Sequence, residues 1–181
     1  MMKIVDYSIR LLVLCAIAAG LLTYVYETTA VRIADNVAKA KSVKAKMILP
    51  EDTASVKEFK DGKMTFFRGY SKNGLNGTVV EASAKGYGGP INLLVGIDKD
   101  GKVIDVAVVS HLETPGLGAK IEEKKFIGQF KGKGVSEMVL KKDSGNNDGI
   151  DAIAAATISS RAVTKAVKEA FETYAEVKDV R

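Results

Sequence analysis

The chain has 181 residues, enough for one domain with a buried core plus an appendage. Its makeup is that of a globular protein: 46% hydrophobic and 27% charged, with 17 glycines and 3 prolines. Much of the formal net charge of +5 lies in one segment near the N-terminus, and no basic stripe interleaved with aromatics is present, so nucleic-acid binding is not implied. A single cysteine, Cys15, and a single histidine, His111, exclude an internal disulfide, a zinc cluster, a cysteine-held iron–sulfur cluster and a histidine-rich metal site.

After a short flank (residues 1–10), residues 11–26 carry no charge and read as a membrane anchor. At about 1.5 Å per residue they cover only ~24 Å, slightly short of a ~30 Å hydrocarbon core. Arg10 can snorkel at one end, Tyr24 and Tyr26 suit the interface at the other, and local bilayer thinning takes up the difference. A cleaved signal peptide is the rival reading, but Tyr24-Val25-Tyr26-Glu27 stands where a small-residue cleavage site belongs. Leu14 before Cys15 argues against a lipidated cysteine. Residues 27–48 keep a helical pattern, with Val31, Ala34, Val37 and Ala38 at spacings of three and four until Pro50 stops the run. They read as a stalk, and the soluble domain is expected over residues 49–181.

The strands come next. Asp61-Gly62 marks a turn, residues 64–70 are apolar and aromatic, Asn73-Gly74 and Asn76-Gly77 mark another turn, and residues 78–84 alternate. Gly86-Tyr87-Gly88-Gly89-Pro90 allows a close backbone approach, although a plain loop explains it as well. Residues 91–97 and 103–109, joined by Asp98-Lys99-Asp100-Gly101, form the clearest hairpin; being rich in valine and isoleucine, its strands are expected at the centre of an antiparallel sheet. Behind it stands His111-Leu112-Glu113-Thr114-Pro115-Gly116-Leu117-Gly118, a compact turn that displays an acid, a hydroxyl and a leucine at a strand end. A short helix over residues 122–130, a short strand over 138–140 and a polar loop over 143–149 follow.

Residues 151–163 read Asp-Ala-Ile-Ala-Ala-Ala-Thr-Ile-Ser-Ser-Arg-Ala-Val at the mouth of the last helix. Free N–H groups and the dipole at a helix start suit an anion such as phosphate, and Thr157, Ser159 and Ser160 add hydroxyls. Helix capping is the plainer explanation of those hydroxyls. Val163, Ala166, Val167, Ala170, Phe171, Tyr174 and Val177 line one face of the helix and are core.

Taken together, the anchor, Gly86-Tyr87-Gly88-Gly89-Pro90-Ile91, the His111–Gly118 element and the sequence Asp151…Thr157-Ile158-Ser159-Ser160-Arg161 resemble the FMN-binding domain family. Within it they resemble the G subunits of Rnf-type ion-translocating electron-transport complexes. The resemblance implies an α+β fold: a transmembrane helix, then one FMN-binding domain whose largely antiparallel sheet is packed by helices. It also implies FMN joined through its phosphate to Thr157 by a separate flavin transferase. Tyr87, Gly88, Glu113, Thr114, Leu117, Gly118, Ala155, Ala156, Ile158, Ser159 and Ser160 are the implied flavin-binding residues. The chain departs from the family pattern at Ala154 and Ala155, where a hydroxyl residue and a glycine are usual. Ala155 thereby places a methyl group where positive φ or close approach is called for, at a cost of about 1 kcal/mol or more.

The function so implied is an electron-carrying subunit of a ferredoxin:NAD+ oxidoreductase that moves Na+ or H+, with no catalytic residues or metal of its own. The implied partners are the other membrane and peripheral subunits, the transferase and membrane lipid. The flanking lysines favour a cytoplasmic domain, whereas the family implies an inner-membrane, single-pass protein with the FMN domain outside the cytoplasm. Two alternatives are the C subunit of a Na+-translocating quinone reductase and an anchored assembly or binding module without flavin.

Overall fold

The computed structural model describes residues 2–61, 64–72, 74–145 and 147–178. The chain forms two compact units, Met1–Ala40 and Lys41–Arg181. The first unit is one continuous helical segment, the greater part of α1 (Met2–Ile48). Its apolar side chains between Ile4 and Tyr26 are exposed, and by length and composition α1 is able to cross a membrane. Asp6 pairs with Arg10 at 2.9 Å one turn on, which softens the cost of a charge at the edge of the apolar run. The helical pattern expected for residues 27–48 is present. Val37 and Ala38 are exposed, and the side chains of Val31 and Ala34 lie outside what is described.

The second unit begins at Lys41 rather than Leu49 because the last turns of α1 are part of its core. Its centre is a five-stranded antiparallel sheet in sequence order: β1 (Ser55–Asp61), β2 (Met64–Ser71), β3 (Gly74–Lys85), β4 (Pro90–Ile97) and β5 (Val103–Ser110). Alternation along the strands sends side chains to two faces. Phe66, Val80, Ala82, Ile91, Leu93, Val95, Val106 and Val108 point to the larger core, which α4 (Thr157–Val177) closes. The predicted apolar face of α4 is buried there, with Tyr174 partly so.

Phe67, Val79 and Leu94 point the other way, onto Ala45, Ile48 and Leu49. Strands buried on both faces read as continuous apolar runs, which is the pattern of β4. Glycine makes the second contact possible. A Cβ on Gly77 would lie 2.7 Å from Ile104 Cδ1 and 3.1 Å from Leu49 Cδ2, and one on Gly96 would meet Ile48 Cγ2. Lys41 pairs with Glu81 at 2.5 Å, and Lys44 donates to the Val108 carbonyl at 2.6 Å.

Four expectations change. The Asn76-Gly77 dipeptide is strand, not turn: Gly77 pairs with Gly69 and makes room for Leu49. The hairpin is not central, since β3 holds the middle and β5 is an edge. Valines suit that edge because residues 118–130 cover its inner face, and its first residue bonds to Gly132 and Lys133. Residues 122–130 are not one helix but a 3₁₀ turn ending at Glu122, α2 (Lys124–Ile127) and a second 3₁₀ turn, Gly128–Phe130. The strand expected at 138–140 is a single parallel bridge, Leu140 to Ile150, and the polar loop after it opens on α3 (Lys141–Ser144). Gly62, Lys63, Asn73 and Asn146, which belong to expected turns and loops, lie outside the described residues.

Gly96→Val adds a branched side chain under Ile48 and should lower stability by about 1–3 kcal/mol. Thermal unfolding of the full chain in detergent measures this, and unchanged stability would mean that Ile48 is not seated on Gly96.

Candidate functional site

Strand order brings three separated motifs to one end of the sheet. β3 ends where β4 begins, and Ser110, the last residue of β5, lies opposite Asn92. The β3–β4 loop and the segment after β5 therefore emerge together. Helix α4 starts at the same end and runs to the other, where Tyr174 donates to the Asp98 carbonyl in the β4–β5 turn at 3.0 Å.

Glu113 joins these motifs. Although an acidic side chain, it is only 5% exposed. Its Oε1 accepts the Gly88 N–H at 3.1 Å, and its Oε2 accepts the Ser159 hydroxyl at 2.5 Å. A buried carboxylate needs such donors, each worth roughly 1.5–3 kcal/mol when the acceptor is charged. The packing leaves no space for larger neighbours: a Cβ on Gly118 would sit 2.5 Å from Oε2 and 2.8 Å from Ser159 Oγ, and one on Gly88 would meet the Leu112 carbonyl. His111 turns the backbone inward, its Nδ1 accepting the Glu113 N–H at 3.1 Å while Nε2 lies 3.4 Å from Glu122. The turn itself is closed by the Leu117 and Ala119 N–H groups on the Thr114 carbonyl.

The start of α4 has two unusual features. Ala156 occupies the capping position with no side-chain cap, so the orphan N–H groups of the first turn face outward unmasked by a capping side chain. Ala155 is in the left-handed region at φ 59°, and no other non-glycine among the described residues has positive φ. Ser160 stabilises this turn: its hydroxyl donates to the Ala156 carbonyl at 2.9 Å and accepts the Ile153 N–H at 3.0 Å. Thr157 is the first helical residue and half-buried, and its hydroxyl accepts a hydrogen bond from Lys142 Nζ.

The structure thus unites Gly88, Glu113, Gly118 and Ser159 directly. Ser159 and Ser160, expected as ligand donors, are buried with their hydroxyls committed within the protein. Tyr87, Leu117 and Ile158 each adjoin one of the Glu113 partners and are exposed, as are Thr114 and Ala155; Ala156 is buried. Leu112, unremarked in the sequence, is exposed beside them, with its side chain over Gly89.

The sequence also hid the contribution of α3. Asp143 binds Arg161 through two hydrogen bonds of 2.9 and 2.8 Å, and Lys141 pairs with Asp151 at 2.9 Å. The hydrogen bonds from Arg161, aided by its charge and that of Lys142, hold the Asp143 carboxyl below the ordinary range, and the hydrogen bonds to Asp143 with its charge raise Arg161. Only a run of charged residues before Asp151 hinted at these ties. Residues 151–154 also line an open cleft with Lys120, Phe126 and Gln129, and Gln129 Oε1 accepts the Asp151 N–H at 2.8 Å.

An uncapped helix start beside glycine-backed loops and exposed apolar groups suits a phosphate-bearing cofactor. Residues 86–172 match the FMN-binding domain family. The fold is shared with the C subunit of the Na(+)-translocating NADH-quinone reductase of Parabacteroides distasonis (TM-score 0.55, 22% identity, 65% of this chain and 64% of that one). It is shared too with NqrC of Shewanella oneidensis (TM-score 0.51, 23% identity, 70% and 67%).

Among relatives by sequence, the G subunit of the proton-translocating ferredoxin:NAD(+) oxidoreductase complex of Clostridium ljungdahlii is 49% identical over 112 residues; the match spans 62% of this chain and 60% of that protein. The G subunit of the ion-translocating oxidoreductase complex of Methanosarcina acetivorans is 35% identical over 94% of each chain. That of Stutzerimonas stutzeri is 30% identical over 91% of this chain and 78% of its own. The chain belongs to the family of G subunits of ion-translocating oxidoreductase complexes.

Ala155→Gly removes the methyl group from a left-handed residue. It should raise stability by up to about 1 kcal/mol, the relief of strain exceeding the added chain entropy. Chemical denaturation checks this, and a loss of stability would show that the turn is unstrained.

Proposed function

We propose that this chain is a membrane-anchored flavoprotein subunit that relays electrons through FMN attached at Thr157, within a ferredoxin:NAD+ oxidoreductase coupled to Na+ or H+ translocation. The observation that carries this reading is Thr157 itself: a hydroxyl at the first position of an uncapped helix, with a lysine ammonium on it. The G-subunit relatives and the FMN-binding match supply its context.

The residues present fit FMN on structural grounds. Its phosphate suits the α4 mouth, with the Thr157 hydroxyl as the attachment point and Lys142 as counter-charge. Gly88 and Gly118 keep the loops tight around Glu113, while Tyr87, Leu112, Leu117 and Ile158 offer exposed apolar surface for a flat ring. When bound, FMN supplies one- and two-electron transfer, and the protein fixes its position and surroundings. Glu113 contributes by locking three segments together. A phosphoester at Thr157 keeps the cofactor in place in every redox state, so binding strength and potential are set by different residues. The cleft along residues 151–154 leaves the segment open to a transferase.

The alanine at 155 still makes the left-handed turn for which glycine is usual, which favours attachment over a module without flavin. The likeness to the C subunits of quinone reductases is one of fold, whereas the relatives aligned over most of their length are G subunits.

Full-length chain co-expressed with a flavin transferase should give a flavin-fluorescent band after denaturation and the mass of an FMN adduct, both lost in Thr157→Ala. A dark wild-type band with no adduct overturns the electron-carrier reading. For topology, α1 is the proposed single anchor of the inner membrane, and the FMN domain is placed outside the cytoplasm on the family resemblance, since a long folded domain can translocate despite flanking lysines. External protease on spheroplasts should digest the domain; protection would reverse the orientation.

A further inference from the structure

We infer that Lys142 is the residue that neutralises the phosphate at Thr157, and that α3 is a clamp built to hold it there. This rests on the proposed flavin attachment and adds a residue that the sequence motif does not contain.

Three consecutive side chains of α3 each reach a different part of the attachment segment. Lys141 pairs with Asp151, Lys142 donates to Thr157 Oγ1, and Asp143 is held by both nitrogens of the Arg161 fork. A helix of four residues does not hold its shape alone, so these cross-ties fix α3 against the start of α4. A parallel bridge between Leu140 and Ile150 anchors the same turn from behind.

Charge counting sets Lys142 apart. Asp151 answers Lys141, and Asp143 answers Arg161. Among the described residues Lys142 has no carboxylate within ion-pair distance, and its ammonium is directed instead at a neutral hydroxyl. Lys141, Lys142 and Arg161 against Asp143 and Asp151 leave the cluster a net single positive charge, and the Lys142 ammonium lies at Thr157. A phosphoester between two alcohols carries one negative charge at neutral pH, so a single ammonium matches it. Lysine suits the task, being a compact charge with three donors that can turn from the hydroxyl to the phosphate oxygens. The unmasked N–H groups of the first turn of α4 supply the remaining donors.

The test compares full-length wild type with Lys142→Met, Lys142→Arg and Lys142→Glu, each co-expressed with limiting flavin transferase. Adduct formation is followed by intact mass, and the gain in Tm on flavin attachment is recorded. Lys142 is exposed, so the flavin-free variants should unfold like wild type. Losing a charge-assisted hydrogen bond should slow labelling of Lys142→Met about tenfold. Lys142→Glu should be slower still, and Lys142→Arg should return close to wild type. The flavin-dependent gain in Tm should shrink in Lys142→Met and be kept in Lys142→Arg.

Labelling of Lys142→Met at the wild-type rate with the full gain in Tm overturns the role of Lys142 while leaving attachment at Thr157 intact. So does a Lys142→Glu chain that behaves like Lys142→Met when Lys142→Arg fails to rescue. Absence of adduct on wild type overturns the attachment reading itself.

Discussion

The Glu113 carboxyl group sits in the interior, where its oxygens are satisfied only while donors are aimed at them. An unpaired buried charge costs several kcal/mol, so the folded state requires both the Ser159 hydroxyl and the Gly88 N–H to be in place. Those donors belong to the first turn of α4 and to the loop between β3 and β4. One side chain thus makes three segments, far apart in sequence, into a single rigid end of the sheet. Glycine at 118 follows from the same requirement, since a Cβ there would press on both oxygen atoms of the Glu113–Ser159 bond.

That organisation separates two tasks which the hydroxyls of the helix start would otherwise share. Ser159 and Ser160 face inward and hold the turn, while Thr157 alone among the three is presented outward to a lysine. The helix is not capped by its own sequence, and the residue before the cap is held in a conformation that alanine resists. Local stability is given up in one short stretch, 155–157, beside two well-satisfied buried serines. Strain persists only where the surroundings over-determine it, and Ser160 bonding to both Ala156 and Ile153 provides that support.

The parts of this molecule that were legible in the sequence are those governed by local period. Apolar and aromatic content located β2, alternation most of β3, and valine and isoleucine content around a turn the β4–β5 hairpin, while spacing of three and four identified the buried face of α4. The chemistry-bearing loops were legible as an ordered set of motifs. What was hidden depends on contacts across the fold. Asn76-Gly77 has turn chemistry, yet Leu49 lodges over Gly77 and keeps it in a strand. Valine-rich β5 resembles a central strand because residues 118–130 cover a face that an edge would otherwise expose. The charges of Lys141, Lys142 and Asp143 have no periodicity at all, and their partners at 151, 157 and 161 become visible only once α3 is folded against α4.

The same long-range logic explains what the site leaves to solvent. The two faces of the sheet are closed by elements from either side of it in sequence, residues 45–49 on one and α4 with the apolar residues of the 121–150 segment on the other. At the site end the loops leave Tyr87, Leu112 and Leu117 exposed, and the first turn of α4 leaves Ile158 exposed. Four large apolar groups flanking one buried carboxylate are costly surface for a chain that has ample core in which to place them. The flavin proposed for this site would cover them with its flat, partly apolar ring. In that proposal the Glu113 junction would give the ring a fixed wall, and the Lys142–Thr157 pair would meet its phosphate.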